Sequence, residues 1–397
     1  MKAEDKVLKV AEGGMGPCAV HGVEGGRGVK GIVDPERAVG SSLFGGVFTF
    51  PVMVAHRSAL EHNIATLAAF TREYGMIFAP HAKTTMSPEL IRAQLDAGAW
   101  GMTVATPSQA LTVREFGVSR IVLANQIFDP AGLDALAAQL AADDSFEFLC
   151  FVDSVAGVEA LSRHAGARPF RVLAELGHEG GRAGSRTLGE LLEVAAAAQA
   201  ADGVELAGVA GYEGSLGSAE EVRAYLHRML EALAHLRVRD PILSVGGSQW
   251  FDVIGRELAD CQARVMLRSG AYVSHDDGYY RERTPYNRIE GELRAALEVW
   301  AHVLSVPEPG LAVVGFGKRD APVDEGLPVP RGAVADATVL KVQDQHAVLR
   351  LAPGSPVKPG DLVSFGISHP CTAFDKWRVM PVVDDDYVVV GLINTFF

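Results

Sequence analysis

The sequence predicts an α/β chain: a (β/α)8 TIM-like barrel with a C-terminal antiparallel β domain that the N-terminal segment joins. Three observations carry this. Short β-rich apolar runs alternate with Ala/Leu-rich helical stretches from about residue 77 onward. About eight such alternations fit into roughly 200 residues, which favours a closed barrel over an open doubly wound sheet. After about residue 292 the pattern turns to β-branched runs divided by Gly, Pro and Asp, as in an antiparallel sheet.

In chain order, a helix over 56–75 precedes the first barrel strand, MIFAPHA at 76–82. The further strands are GMTVAT (101–106), RIVLAN (120–125), FEFLCFV (146–152), FRVLAEL (170–176), VELAGVAGY (204–212), PILSVGG (241–247) and ARVMLRS (263–269). Between the last three of these lie helices such as 219–236, whose apolar residues recur at the three- and four-residue spacing of an amphipathic helix. No GxGxxG follows the first strand, which counts against a dinucleotide fold. The expected division is 50–291 for the barrel and 1–49 with 292–397 for the β domain. VFTFPVMVA (47–55) reads as a strand that joins the β domain, and Pro359-Gly360 reads as a turn.

Composition narrows the function classes. The 397 residues are 48% hydrophobic, enough for a large core and for two domains. The net charge of −13, without a basic stripe, argues against a nucleic-acid partner. No apolar run reaches membrane-spanning length and no leader pattern opens the chain, so no membrane and a cytoplasmic location are expected. Cys18, Cys150, Cys261 and Cys371 lie far apart and read as reduced thiols.

In barrels the reactive groups sit at the C-terminal strand ends. The first strand leads into Pro80-His81-Ala82-Lys83-Thr84. A lysine there points into the barrel mouth, among apolar neighbours that depress its pKa towards the neutral amine of Schiff-base chemistry. Its plain alternative is a solvated strand-end lysine. His81, two residues earlier, falls on the same strand face. Gly246-Gly247-Ser248 after the seventh strand, and Gly270 with Tyr272 after the eighth, occupy the loops where barrels bind phosphate. Thr106, Asn125 and Tyr212 close other strands. His178 and Arg182 lie in a Gly-rich loop, where Arg182 offers a fixed charge to a pyridine nitrogen or a carboxylate. In the β domain, His369 and Cys371 are separated by one residue. Thiolate with imidazole suits Zn²⁺, and two ligands would leave an open, catalytic position; the plain alternative is a packed His beside a buried Cys.

Together, PHAKT, the two Gly-rich loops and HPC resemble the fold-type III pyridoxal-phosphate enzymes of the D-serine dehydratase and D-threonine aldolase group, related to the alanine racemase fold. The resemblance covers roughly residues 45–397. It implies that Lys83 is the Schiff-base lysine, and that His81, Arg182, Tyr212, Gly247, Ser248, Gly270 and Tyr272 surround pyridoxal 5'-phosphate. It implies His369 and Cys371 as ligands of Zn²⁺ or another divalent metal. It also places His346, in DQHAVL, near that metal as a base, and makes the chain a homodimer. GGSQW and YVSHDDGYY depart from the family pattern, on the phosphate and substrate sides respectively.

The implied reaction converts a β-hydroxy D-amino acid such as D-serine or D-threonine to a 2-oxo acid and ammonia. Lys83 removes the α-proton and the metal draws off the β-hydroxyl. The rival on the same site is retro-aldol cleavage to glycine and an aldehyde. A racemase or a non-catalytic cofactor carrier are further readings. The residues from 292 onward argue against the carrier.

Overall fold

The parallel sheet follows from the strands' own alternation. In the computed structural model, which describes residues 29–397, β1 (Val52–His56) is followed by the helix Arg57–Glu73 and then by eight barrel strands. These are β2 (Ile77–Phe78), β3 (Met102–Val104), β4 (Arg120–Leu123), β5 (Glu147–Val152), β6 (Phe170–Leu176), β7 (Val204–Gly211), β8 (Ile242–Ser244) and β9 (Arg264–Leu267). They pair in parallel from β3 through β8 to β9 and back to β2. A parallel bridge between His81 and Thr103, with Thr103 N–H donating to Pro80 O at 2.9 Å, joins β2 to β3 and closes the barrel.

Side chains alternate across each strand. Val122, Leu149, Phe151, Leu173 and Met266 fill the barrel interior, while Ile121, Phe148, Cys150 and Val172 pack outward against the helices. The helices begin where the sequence supplies caps. Ser87, Thr106, Asp129, Ser154, Thr187 and Ser218 each accept a backbone N–H of the first turn. Thr187 with Glu190 and Ser218 with Glu221 complete capping boxes. Thr106, read from sequence as a strand end facing the site, is one of these caps.

The second sheet holds β1 together with β10 (Leu297–Glu308), β11 (Leu311–Val314), β12 (Val329–Arg331), β13 (Thr338–Val342), β14 (Ala347–Arg350), β15 (Leu362–Gly366), β16 (Val379–Val383) and β17 (Val389–Asn394). Its pairs are antiparallel, except that β1 and β16 run parallel. Val52–His56, on the barrel side of the boundary expected at residue 50, therefore lies in this sheet, and the chain crosses to the barrel at Arg57. Lys358–Asp361 forms the turn before β15, with Gly360 at φ 91° after Pro359. This matches a type II turn.

Cys18 lies outside the described residues. Among the described residues, Cys150, Cys261 and Cys371 form no disulfide. Among the described residues, no helix is long and apolar enough to cross a membrane.

Candidate active site

The barrel mouth encloses a cavity of about 240 Å³ at the C-terminal ends of the strands. Lys83 reaches it from a 3-10 turn, Ala82–Thr84, that follows the His81–Thr103 bridge. The same-face argument for His81 and Lys83 thus fails in detail, because the strand has already ended. Both residues nevertheless line the cavity. Burial holds the Lys83 amine below the ordinary lysine range. The positive fields of Arg182 and Arg268 add to this, and Cys371 opposes it. Burial, then Lys83, Arg268 and Arg182, hold His81 well below the usual imidazole value. Among the described residues, the buried His81 Nδ1 has no hydrogen-bond partner.

The Gly-rich loops behave differently from one another. Gly246 and Gly247 do not present free amides. The fully buried Glu213 accepts both N–H groups, at 3.0 and 2.8 Å. Ser248 does line the cavity. Gly270 caps a 3-10 turn, Ala271–Val273, whose first amides lie beyond the turn's own bonding. A Cβ on Gly270 would meet His81 Cβ at 2.6 Å, so only glycine lets this turn approach the lysine segment.

Tyr272 is not at the cavity. The same turn swings its side chain into the core, where Phe78 lies 5.4 Å away and Gln94 Nε2 donates to its hydroxyl at 2.9 Å. Arg182 and Tyr212 do line the cavity, with the guanidinium 5.4 Å from the ring centre. Burial, with the Glu213 charge, pushes the Tyr212 phenol up to about 12. Asn125 lines the cavity as well. His178 instead bonds Ser215 Oγ at 3.0 Å beside it.

Residues the sequence reading missed complete the wall. Arg268 is buried and donates to Ser244 Oγ at 2.6 Å and Gly211 O at 2.7 Å. Glu175 accepts from Gln126, and burial pushes its carboxyl up. The sequence signal for both was a charged residue inside an apolar strand, in ARVMLRS and FRVLAEL. Tyr280 lines the cavity from the YVSHDDGYY segment. Asp276 holds this segment by accepting the N–H groups of Gly278, Tyr280 and Arg281.

The second sheet supplies the last wall. The 3-10 turn Pro370–Thr372 packs on the turn that carries Lys83, and brings Cys371 to the same cavity. His369 caps that turn, with the Tyr279 and Tyr280 rings 5.4 and 5.7 Å away. Its Nδ1 bonds Asp324 Oδ2 at 2.8 Å. Burial pushes the imidazole down, but the hydrogen bond to Cys371 and the charges of Cys371 and Asp324 raise it to about 9.

His346 is not gathered here. It sits exposed in the hairpin turn joining β13 and β14, beside Lys318 and Lys341. A short hairpin turn puts its side chain in solvent, away from the lysine cavity.

The donor chemistry fits the two groups the resemblance implied. A partly desolvated amine, an unpartnered His81 nitrogen, the Ser248 hydroxyl and the start of a 3-10 turn suit an aldehyde cofactor with a phosphate tail. A thiol and an imidazole, with one nitrogen already held by a carboxylate, suit an open divalent site. Among the described residues, no cluster of three or more His, Cys, Asp or Glu side chains forms a closed metal cage.

Comparison with known proteins agrees with this architecture. Residues 55–272 match the family model "Alanine racemase, N-terminal domain", and residues 296–383 match "Putative serine dehydratase domain". D-threonine aldolase of Arthrobacter sp is 28% identical over 91% of this chain and 95% of its own length. The 3-hydroxy-D-aspartate aldolase of Paracoccus denitrificans (strain Pd 1222) is 27% identical over 75% and 79%. D-threo-3-hydroxyaspartate dehydratase of Delftia sp. (strain HT23) is 28% identical over 57% of this chain and 61% of its own. Among solved structures, D-threonine aldolase from Filomicrobium marinum superposes with a TM-score of 0.78 at 24% identity, covering 88% of this chain and 95% of that one. The chain belongs to the alanine racemase N-terminal domain family, whose model it matches over more than half its length.

Proposed function

We propose that the enzyme binds pyridoxal 5'-phosphate on Lys83 and a divalent metal, Zn²⁺ by ligand type, on His369 and Cys371, and dehydrates a β-hydroxy D-amino acid to a 2-oxo acid and ammonia. The observation that carries this reading is that Cys371 and Lys83 line one cavity although they come from different sheets. When bound, the cofactor provides an electron sink for the α-carbon and the metal a Lewis acid for the β-oxygen.

The chain's own groups do the rest. Lys83, whose amine burial holds below the ordinary lysine range, takes the α-proton. Arg182 faces the cavity as a fixed positive charge for a carboxylate or the cofactor's ring nitrogen. In this reading the Cys371 thiol and the His369 imidazole, through the metal they would hold, serve the departure of the β-hydroxyl, a poor leaving group unaided. The first amides of the Ala271–Val273 turn, with the Ser248 hydroxyl, are the donors proposed for phosphate, since Glu213 holds those of Gly246 and Gly247. We propose a homodimer, for which the mass measured in solution is expected to be twice that of one chain.

Retro-aldol cleavage is the second reading, supported by the aldolases among the relatives. The cysteine favours dehydration, because a Cys ligand is what the resemblance implies for the dehydratase branch; a D-threo-3-hydroxyaspartate dehydratase with a cysteine-to-alanine substitution has a solved metal-free form. The exposed position of His346, outside the lysine cavity, speaks against it as the base of the aldol route. Incubation of the zinc-loaded enzyme with D-serine, D-threonine and D-threo-3-hydroxyaspartate tests the proposal. A 2-oxo acid with ammonia is expected, abolished by a chelator and restored by zinc. Glycine with an aldehyde overturns dehydration in favour of the aldolase.

A further inference from the structure

Asp324 belongs to none of the motifs read from the sequence, yet it ends against His369. It lies in the connection between β11 and β12, about 45 residues before the histidine. Its Oδ2 meets His369 Nδ1 at 2.8 Å, and its Oδ1 accepts from Thr372 Oγ1 at 3.3 Å. One carboxylate therefore spans the His-Pro-Cys-Thr turn, holding the residue on each side of Pro370 and Cys371.

The connection that carries Asp324 is itself pinned. Ser368 Oγ donates to Glu325 O at 2.9 Å. Gly326 stands at φ 117°, and a Cβ there would come 2.4 Å from Ser368 Oγ. On the opposite side, Tyr279 N–H donates to Ser368 O at 2.7 Å, and the Tyr279 and Tyr280 rings lie against the imidazole. The ring thus has a wall on one face and a carboxylate on one nitrogen. With Nδ1 engaged, Nε2 is the nitrogen left for the Cys371 side.

We infer that Asp324 is a positioning residue for the metal pair: it fixes the tautomer and direction of the His369 ring so that Nε2 and the Cys371 thiolate converge on one ion. This rests on the proposal that His369 and Cys371 bind a divalent metal. Among the described residues the site offers two protein donors, so pre-orientation of the imidazole replaces the rigidity that a full ligand cage would give. A carboxylate behind a ligating histidine also raises the basicity of the nitrogen that binds, and its loss typically weakens metal affinity about 10–100-fold.

The test is zinc binding to the metal-free, full-length protein, by competition with a chromogenic chelator and without substrate. Asp324→Ala is expected to weaken zinc about 10–100-fold, and Asp324→Asn, whose amide oxygen still accepts from Nδ1, less. Asp324→Glu is expected to recover part of the affinity, with thermal midpoints close to that of the unmodified protein. Asp324 is partly exposed, so folding is not at stake. His369→Ala sets the level of full loss. Affinity unchanged in Asp324→Ala, while His369→Ala loses it, overturns the inference and leaves the metal site standing. Absence of zinc binding by the unmodified protein overturns both.

Discussion

A lysine in a barrel mouth owes its chemistry to its neighbours. Lys83 is desolvated, faces Arg182 and Arg268, and is opposed by Cys371. Each cause has a sign. Removing a positive neighbour makes the ammonium easier to keep, and removing Cys371 makes it easier to lose. In the cofactor-free protein, amine labelling of Lys83 should therefore show a pH midpoint below the ordinary lysine value of about 10.4. Arg182→Gln should raise that midpoint and Cys371→Ser should lower it, read by mass spectrometry of the labelled peptide. A midpoint at the ordinary value that ignores both substitutions would show that the lysine is solvated. Lys83 and His81 were legible because they follow a strand end, where the barrel's architecture gives direction. Arg268, Glu175 and Glu213 were not, because a charge in an apolar run reads as a fault in the pattern until its distant partners are known. Tyr272 misled for a local reason: the 3-10 turn after Gly270 rotates its ring away from the mouth.

At the scale of the element, the loop after β8 shows how a glycine pair can be conformational rather than ligand-binding. Gly246 and Gly247 bend the chain, and Glu213, one residue beyond the strand-end Tyr212, consumes their amides. Replacing Glu213 with Ala leaves two donors unsatisfied in a buried site. The expected cost is about 1–3 kcal/mol for each group left unpaired, read as a lower urea midpoint, with weaker cofactor affinity as Ser248 loses its support. An unchanged midpoint and affinity would mean that the loop holds its shape without the carboxylate. The helix starts were readable from sequence, since S-A-E-E at 218 and T-L-G-E at 187 spell capping boxes. The pairing of β1 with β16 was not, because a parallel register far apart in sequence leaves no local mark.

Across the whole molecule, the second sheet both ties the chain's segments together and finishes the site. Glu298 on β10 is 3% exposed, bonds His56 Nε2 at 3.0 Å, and accepts from the Tyr387 hydroxyl, which precedes β17, at 2.9 Å. Burial pushes its carboxyl up, but hydrogen bonds to His56 and Ser364, with the His56 and Arg331 charges, leave it below the ordinary value. A depressed carboxyl stabilises the fold above its unfolded pKa, and that contribution is lost as pH falls through the folded value. Stability should thus decline from about pH 4.3 downward. Glu298→Gln should remove this part of the slope and lower neutral-pH stability by about 1–3 kcal/mol, measured by denaturant titration at several pH values. An identical slope in the variant would contradict the assignment.

The sheet's other contribution is Cys371, and it makes sense only if Lys83 carries the cofactor. The most direct measurement is borohydride reduction of the pyridoxal-phosphate-loaded protein, followed by peptide mass spectrometry. The mass of a phosphopyridoxyl group should appear on the peptide containing Lys83, and Lys83→Ala should show neither that addition nor the visible cofactor absorbance. Labelling of a different lysine in the unmodified protein, or cofactor retained with full absorbance in Lys83→Ala, would contradict the account.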